Sequence, residues 1–325
     1  MSEIPQILQR RHSYRPFRYP EAFEFYDLQN KSHWVPDEVT FGSDIQEFRT
    51  EFSEAEKHAV TTILRTFTSL ENVVGEYWTS VVAKWFPHPE ICMMARTFAS
   101  FEAIHAHAYD RLNVELGLDT EEFYLSFLEN PDMKAKMLFV ERALDVEKPD
   151  DIPLSLACFS AFTEGVSLYS SFAVLLNFQR FNKLKNVANI LEWSVKDESL
   201  HSKAGCWLYR TYMAERKMEA AELEAHNEQV RKIAIHVYEM ECAIINEIFA
   251  KGEFLELSAE SLKAFAHNRL VSKLKELGVP TELELIPEKI TKWFNEIVDG
   301  RVYNDSFESR STSYTKGWDF GATTW

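Results

Sequence analysis

Two copies of Glu-x-x-His, Glu102–His105 and Glu198–His201, stand 96 residues apart (198 minus 102), each inside a long apolar stretch of helical periodicity. In an α-helix, residues three apart project from one face, so each pair offers a carboxylate and an imidazole to the same point in space. The motif is short enough to arise by chance, and two solvated pairs on surface faces would be the bland reading. Context argues against it. An ionised carboxylate without a partner is expensive to bury, and both pairs have apolar neighbours. Two further glutamates share that setting, Glu71 in Leu70-Glu71-Asn72-Val73-Val74 and Glu164 in Ala161-Phe162-Thr163-Glu164-Gly165. Four glutamates and two neutral imidazoles converging from four helices would neutralise two divalent cations. Such an oxygen-rich set suits iron or manganese better than copper or zinc.

The rest of the chain reads as helices, so the expected fold class is all-α. Ser53-x-x-Glu56 is a capping box opening a helix predicted to reach about Phe86. Pro87 and Pro89 break the chain, and a second long helix follows from Pro89 to Leu116, closed by Gly117. Shorter helices are expected near 121–129 and 131–144, then a loop over Asp145–Asp151. Long helices follow near 153–178, 183–214 and 218–249, with smaller ones near 259–277 and 287–298. Residues 1–50, punctuated by Pro5, Pro16, Pro20 and Pro36, read as an irregular segment packed on the bundle. Residues 51–300 read as one helical domain. Residues 301–325, rich in Ser, Thr, Asp and Gly with isolated aromatics, read as a flexible tail.

Composition narrows the function classes. Only 10 Gly beside 24 Phe, 12 Tyr and 8 Trp suit one large core and not a turn-rich β protein. A net charge of −16 argues against a nucleic-acid surface, which needs basic stripes. With no uninterrupted apolar run of 18 residues and no signal-peptide pattern, the expectation is a soluble cytoplasmic protein without a membrane partner. The four cysteines (Cys92, Cys158, Cys206, Cys242) form no CxxC pair and read as free, buried thiols.

With these residues in view, the chain resembles the radical-generating small subunit of class I ribonucleotide reductase over nearly its whole length. The spacings carry the likeness: Glu71, then 31 residues to Glu102-x-x-His105, then Glu164, then 34 residues to Glu198-x-x-His201. The resemblance implies a ferritin-like four-helix bundle in which these six residues hold a dinuclear metal centre. Tyr109, seven residues after Glu102 and so on the ligand face, matches the family's radical tyrosine. Trp34, in Trp34-Val35-Pro36-Asp37-Glu38, is similar to a motif whose tryptophan belongs to the family's electron path. Asp197 matches the aspartate that links the first ligand histidine, here His105, to that tryptophan. The segment from Phe307 to Gly317 resembles the family's C-terminal segment, whose tyrosine, here Tyr314, passes the radical to a large catalytic subunit. Trp318, Phe320 and Trp325 would anchor the tail on that partner. The implied activity is storage of a one-electron oxidant for ribonucleotide reduction in the large subunit, by a homodimer of this chain.

One position departs from the pattern. Most small subunits carry Asp where this chain has Glu71, and within the family Glu there is typical of manganese-using forms. Manganese–iron forms usually replace the radical tyrosine with Phe, whereas Tyr109 is present. The likeness therefore favours two manganese ions, with manganese–iron and di-iron as alternatives, and an oxidant held on the metals. His107, offset by two from His105, is expected beside the ligands or in a structural role. A competing expectation is a ligand-binding metal oxidase on the same scaffold, which carries a Val–Tyr crosslink. Val74 would supply its valine, but Phe159 stands where its tyrosine is expected, and such proteins lack the tyrosine-bearing tail. A ferritin-like iron store would be shorter, without the Trp34 motif.

Overall fold

Residues 4–300 are described by the computed structural model. Helices follow one another as α1 (Pro20–Lys31), α2 (Gly42–Thr50), α3 (Glu54–Tyr77), α4 (Ala83–Trp85), α5 (Pro89–Leu116), α6 (Glu121–Leu125) and α7 (Pro131–Arg142). They continue with α8 (Ile152–Leu156), α9 (Tyr169–Arg180), α10 (Lys185–Arg216), α11 (Ala220–Ile248), α12 (Ala259–Leu277) and α13 (Ile290–Gly300). Two wider, π-helical stretches interrupt the series, Trp78–Val82 between α3 and α4 and Ala157–Ser167 between α8 and α9. The described residues form no strand beyond an isolated bridge between Phe254 and Leu257.

The predicted helix boundaries correspond closely to these elements because their stop signals are local. Ser53 N–H donates to Glu56 Oε2 (2.7 Å) and Glu56 N–H to Ser53 Oγ (3.3 Å), closing the capping box that starts α3. Gly117 ends α5 in the left-handed region (φ 77°) that residues with a side chain avoid. The helix expected over 153–178 is instead α8, an eleven-residue π segment and α9 in one run, buried at every residue from 155 to 178. By length and composition the run Pro149–Arg180 would also pass as a membrane span, but its apolar window is wholly buried inside the bundle.

The N-terminal expectation needs correction. Helices α1 and α2 occupy the segment read as irregular, because Pro20 opens α1 at a first-turn position that proline favours. These helices hold the bundle in place. The buried carboxylate Asp44 of α2 accepts from the backbone N–H of Asn186 and Val187, both at 2.8 Å, capping the N-terminus of α10 from outside that helix.

At the centre, α3 lies against α5, and α10 against the π segment, while α1 packs on α5 and α11 and α12 pack on the π segment. The α10 contact is unusually close. A Cβ added at Gly205 would fall 2.0 Å from Ser160 Cβ, so glycine is required for the two backbones to approach. Cys158 and Cys206 are buried free thiols, and burial pushes both up to about 12; Cys92 and Cys242 are free and only half-buried.

Candidate metal centre

Glu71 sits mid-helix on α3, Glu102 and His105 one turn apart on α5, and Glu198 and His201 one turn apart on α10. Glu164 alone comes from the π segment, where Thr163 Oγ1 donates to the Cys158 carbonyl at 3.1 Å, five residues back. Extra-wide turns of this kind concentrate at functional sites, where they re-aim a side chain that regular spacing would misplace. None of the six side chains belongs to a residue more than 4 % exposed.

They converge as two groups. Glu71, Glu102, His105 and Glu198 form one, Glu102, Glu164, Glu198 and His201 the other, and within each the donor atoms lie within 4.8 Å of one another. Glu102 and Glu198 belong to both. The imidazoles turn Nδ1 inward: His105 Nδ1 lies 3.1 Å from Glu102 Oε2 and 3.3 Å from Glu198 Oε1. His201 Nδ1 lies 2.7 Å from Glu102 Oε1. Both Nε2 atoms face outward to oxygen acceptors, His105 Nε2–H donating to Asp197 Oδ2 (3.1 Å) and His201 Nε2–H to Gln29 Oε1 (2.9 Å). Fixing a proton on Nε2 leaves Nδ1 free to donate its lone pair to a cation.

Burial and mutual repulsion dominate the electrostatics. Burial first, then the neighbouring carboxylates, pushes Glu71 and Glu164 well above the usual carboxylate range, and burial pushes Glu198 up to about 7. Burial acts on Glu102 in the same direction, but His201 and His105 outweigh it and hold that carboxyl down at about 2. Burial works against a proton on His105, yet the carboxylates of Asp197, Glu102 and Glu198 raise it well above the ordinary imidazole value. Among the described residues, Glu71 Oε2, Glu164 Oε2, both oxygens of Glu198, Glu102 Oε1 and His201 Nδ1 are buried without a well-aligned hydrogen bond, and the close approaches that some of them make are to other members of the cluster. Orphaned polar atoms are rare in folded cores. Six of them, five carboxylate oxygens and one imidazole nitrogen in one pocket, fit a pair of divalent cations.

Around this cluster, Trp34 Nε1–H donates to Asp197 Oδ2 (2.8 Å), the same oxygen that receives His105, and its ring stacks on His105 at 5.8 Å. Tyr109 is buried against Phe67 (4.9 Å), and its hydroxyl has no hydrogen-bond partner among the described residues. Burial, followed by the Glu71 charge, pushes its phenol well above the ordinary value. His107 is exposed, so it neither supports the ligands nor fills the core. Tyr314, Trp318, Phe320 and Trp325 lie outside the described residues.

Two residues escape the sequence reading. Gln29 on α1, fully buried, binds His201 through Oε1 and donates from Nε2 to Asp197 Oδ1 (2.7 Å), joining the two histidine supports into one network. Trp78 donates from Nε1 to Glu164 Oε1 at 2.8 Å. A signal for Trp78 exists, since it follows Glu71 by seven residues, the spacing that singles out Tyr109 after Glu102. Gln29 has no such signal, because its partners are 168 and 172 residues away.

The sequence profile of the family described as "Ribonucleotide reductase, small chain" matches residues 11–283. The chain belongs to this family. Its relatives include the "Probable ribonucleoside-diphosphate reductase small subunit 376L" of Invertebrate iridescent virus 6, 29 % identical, with 96 % of this chain and 97 % of that protein aligned. Among solved structures, the ribonucleotide reductase R2 subunit from Clostridium botulinum superposes with a TM-score of 0.77 at 18 % identity, covering 92 % of this chain and 99 % of that one. Dimanganese(II)-NrdF of Streptococcus sanguinis superposes with a TM-score of 0.74 at 19 % identity, covering 85 % and 95 %. The small chain thus has the ferritin-like fold of these R2 proteins. It is the small subunit of a ribonucleoside-diphosphate reductase, an oxidoreductase that works with a large catalytic subunit, and this is favoured over the ligand-binding oxidase reading.

Proposed function

We propose that Glu71, Glu102, His105, Glu164, Glu198 and His201 hold two manganese ions, and that the oxidant stored there leaves through Trp34 toward the large subunit. The observation that carries this reading is the pair of four-residue donor groups sharing Glu102 and Glu198, tied to Trp34 through Asp197. When bound, the metal pair supplies a one-electron oxidant. The chain's own residues do the rest. Glu102 and Glu198, which belong to both donor groups, would contact both ions, and Glu71 and Glu164 would each contact one. Asp197 and Gln29 keep the Nε2 protons in place, so that both imidazoles would face bound cations through Nδ1 as neutral donors. Trp78 fixes the carboxylate plane of Glu164. The surrounding apolar side chains exclude water.

Manganese is favoured over iron by Glu71, through the likeness to manganese-using members of the family. A metal-centred oxidant is favoured by Glu71 together with Tyr109, the combination most like dimanganese members of the family. The tail from 301 onward, with Tyr314 as the radical-passing residue, is proposed as the connection to the large subunit. A homodimer acting in the cytoplasm in deoxyribonucleotide synthesis rests on the family likeness alone.

Two substitutions test the reading with the large subunit present. Tyr314→Phe leaves metal loading intact and removes ribonucleotide reduction. Tyr109→Phe retains turnover if the oxidant stays on the metals. Normal turnover of Tyr314→Phe contradicts the tail relay. Complete loss in Tyr109→Phe, with a tyrosyl signal in the unaltered protein, returns the centre to a tyrosyl-radical type.

A further inference from the structure

Trp34 has a second aromatic neighbour that no ligand or hydrogen bond of the site accounts for. Trp193 lies on α10 four residues before Asp197, one helical turn away on the same face. Both residues turn to the same indole. Asp197 receives its N–H, while Trp193 packs against its ring with centroids 5.3 Å apart and planes inclined by 44°. Burial falls steadily along the series: His105 is fully buried, Trp34 is 4 % exposed, and Trp193 is only half-buried. Among the described residues, the aromatic rings paired with Trp34 are therefore His105 on the metal side and Trp193 on the solvent side.

From this juxtaposition we infer that Trp193 is a further relay residue, carrying the oxidising equivalent from Trp34 toward the protein surface. The inference rests on the proposed route through Trp34. In the step assigned to it, one electron leaves the Trp193 indole and fills the hole on oxidised Trp34. Trp34 returns to its neutral form and Trp193 becomes the cation radical. No bond forms or breaks, no proton moves, and the hole originates in the metal-centred oxidant. Trp193 then regains an electron from the next donor on the large-subunit side. Indole is among the most easily oxidised side chains and benzene among the least, so identity at 193 matters beyond shape.

The test compares Trp193→Phe and Trp193→Tyr with the unaltered protein, each assayed with the large subunit. Metal content and the stored oxidant are measured by electron paramagnetic resonance before the subunits are mixed. The expected result is a normal stored oxidant in both variants, loss of most turnover in Trp193→Phe, and partial recovery in Trp193→Tyr, which keeps an oxidisable ring. Full turnover of Trp193→Phe overturns the assignment. So does equal loss in both variants with a normal oxidant, since that marks a packing role. Should Trp193→Phe fail to load metal, 5-fluorotryptophan placed at 193 alone decides the matter. Slower turnover supports the relay, and unchanged turnover overturns it. Failure of the unaltered protein to reduce ribonucleotides with its large subunit would instead strike the underlying function.

Discussion

Glu102 and Glu198 come from different helices, α5 and α10, yet each contributes an oxygen to both groups of metal donors. Four buried carboxylates this close repel one another, and cations lying between them would relieve that repulsion. The two shared glutamates should therefore differ from the unshared ones on removal. Glu198→Ala is expected to lose metal from both positions, whereas Glu71→Ala keeps the position served by Glu164 and His201. Elemental analysis after loading and desalting distinguishes them, and equal stoichiometry in the two variants contradicts the sharing.

Asp197 accepts from Trp34, His105 and Gln29, so a single carboxylate sets the tautomer of one ligand and steadies the support of the other. Loss of such an outer partner typically weakens metal binding or activity by about 10- to 100-fold. Asp197→Ala is expected to fall in that range, and Gln29→Ala to weaken the His201 position selectively. Competition against a chelator of known affinity measures both. Unchanged affinity in Asp197→Ala would mean that the histidine orientation is set by packing alone.

Stability should also depend on pH away from the metal site. Burial would raise Glu56, but the Lys183 ammonium at 2.7 Å and the Ser53 N–H outweigh it and hold the carboxyl below its ordinary value of 4.5. A lowered folded value stabilises the protein fully above 4.5 and loses that contribution as pH falls through the folded value. Glu56→Gln keeps an oxygen for the Ser53 N–H but loses the charge facing Lys183, and should cost about 0.2–1 kcal/mol at neutral pH, the usual range for a partly exposed ion pair. The gap between the variant and the unaltered protein should close in acid. A gap of constant size across the acid range in thermal melts contradicts this account.

The convergence of the six side chains was legible because its information is local. Three-residue spacings on long helices put Glu102 with His105 and Glu198 with His201 before any tertiary contact is known. Glu71 and Glu164 stand out as charges inside apolar runs. What escaped depends on contacts between distant elements. Gln29 and Asp44 act on α10 from the N-terminal helices, and nothing in their own neighbourhoods announces those partners. The proline spacing that suggested an irregular N-terminus instead marks where helices begin, as Pro20 does. The π segment carrying Glu164 escaped as well. Its sequence is simply apolar, and the wide turns arise where its backbone meets Gly205 and the helices packed around it.

The most direct test of the whole account is anomalous-scattering crystallography of the metal-loaded protein at energies that separate manganese from iron. The account predicts two ions about 3.5–4 Å apart, the usual spacing of two-metal sites. One would be held by Glu71 and His105 Nδ1, the other by Glu164 and His201 Nδ1, with Glu102 and Glu198 contacting both. Full occupancy by manganese at both positions is the predicted composition. A single ion, a site elsewhere in the bundle, or two of these six side chains turned away from fully occupied metals would contradict it.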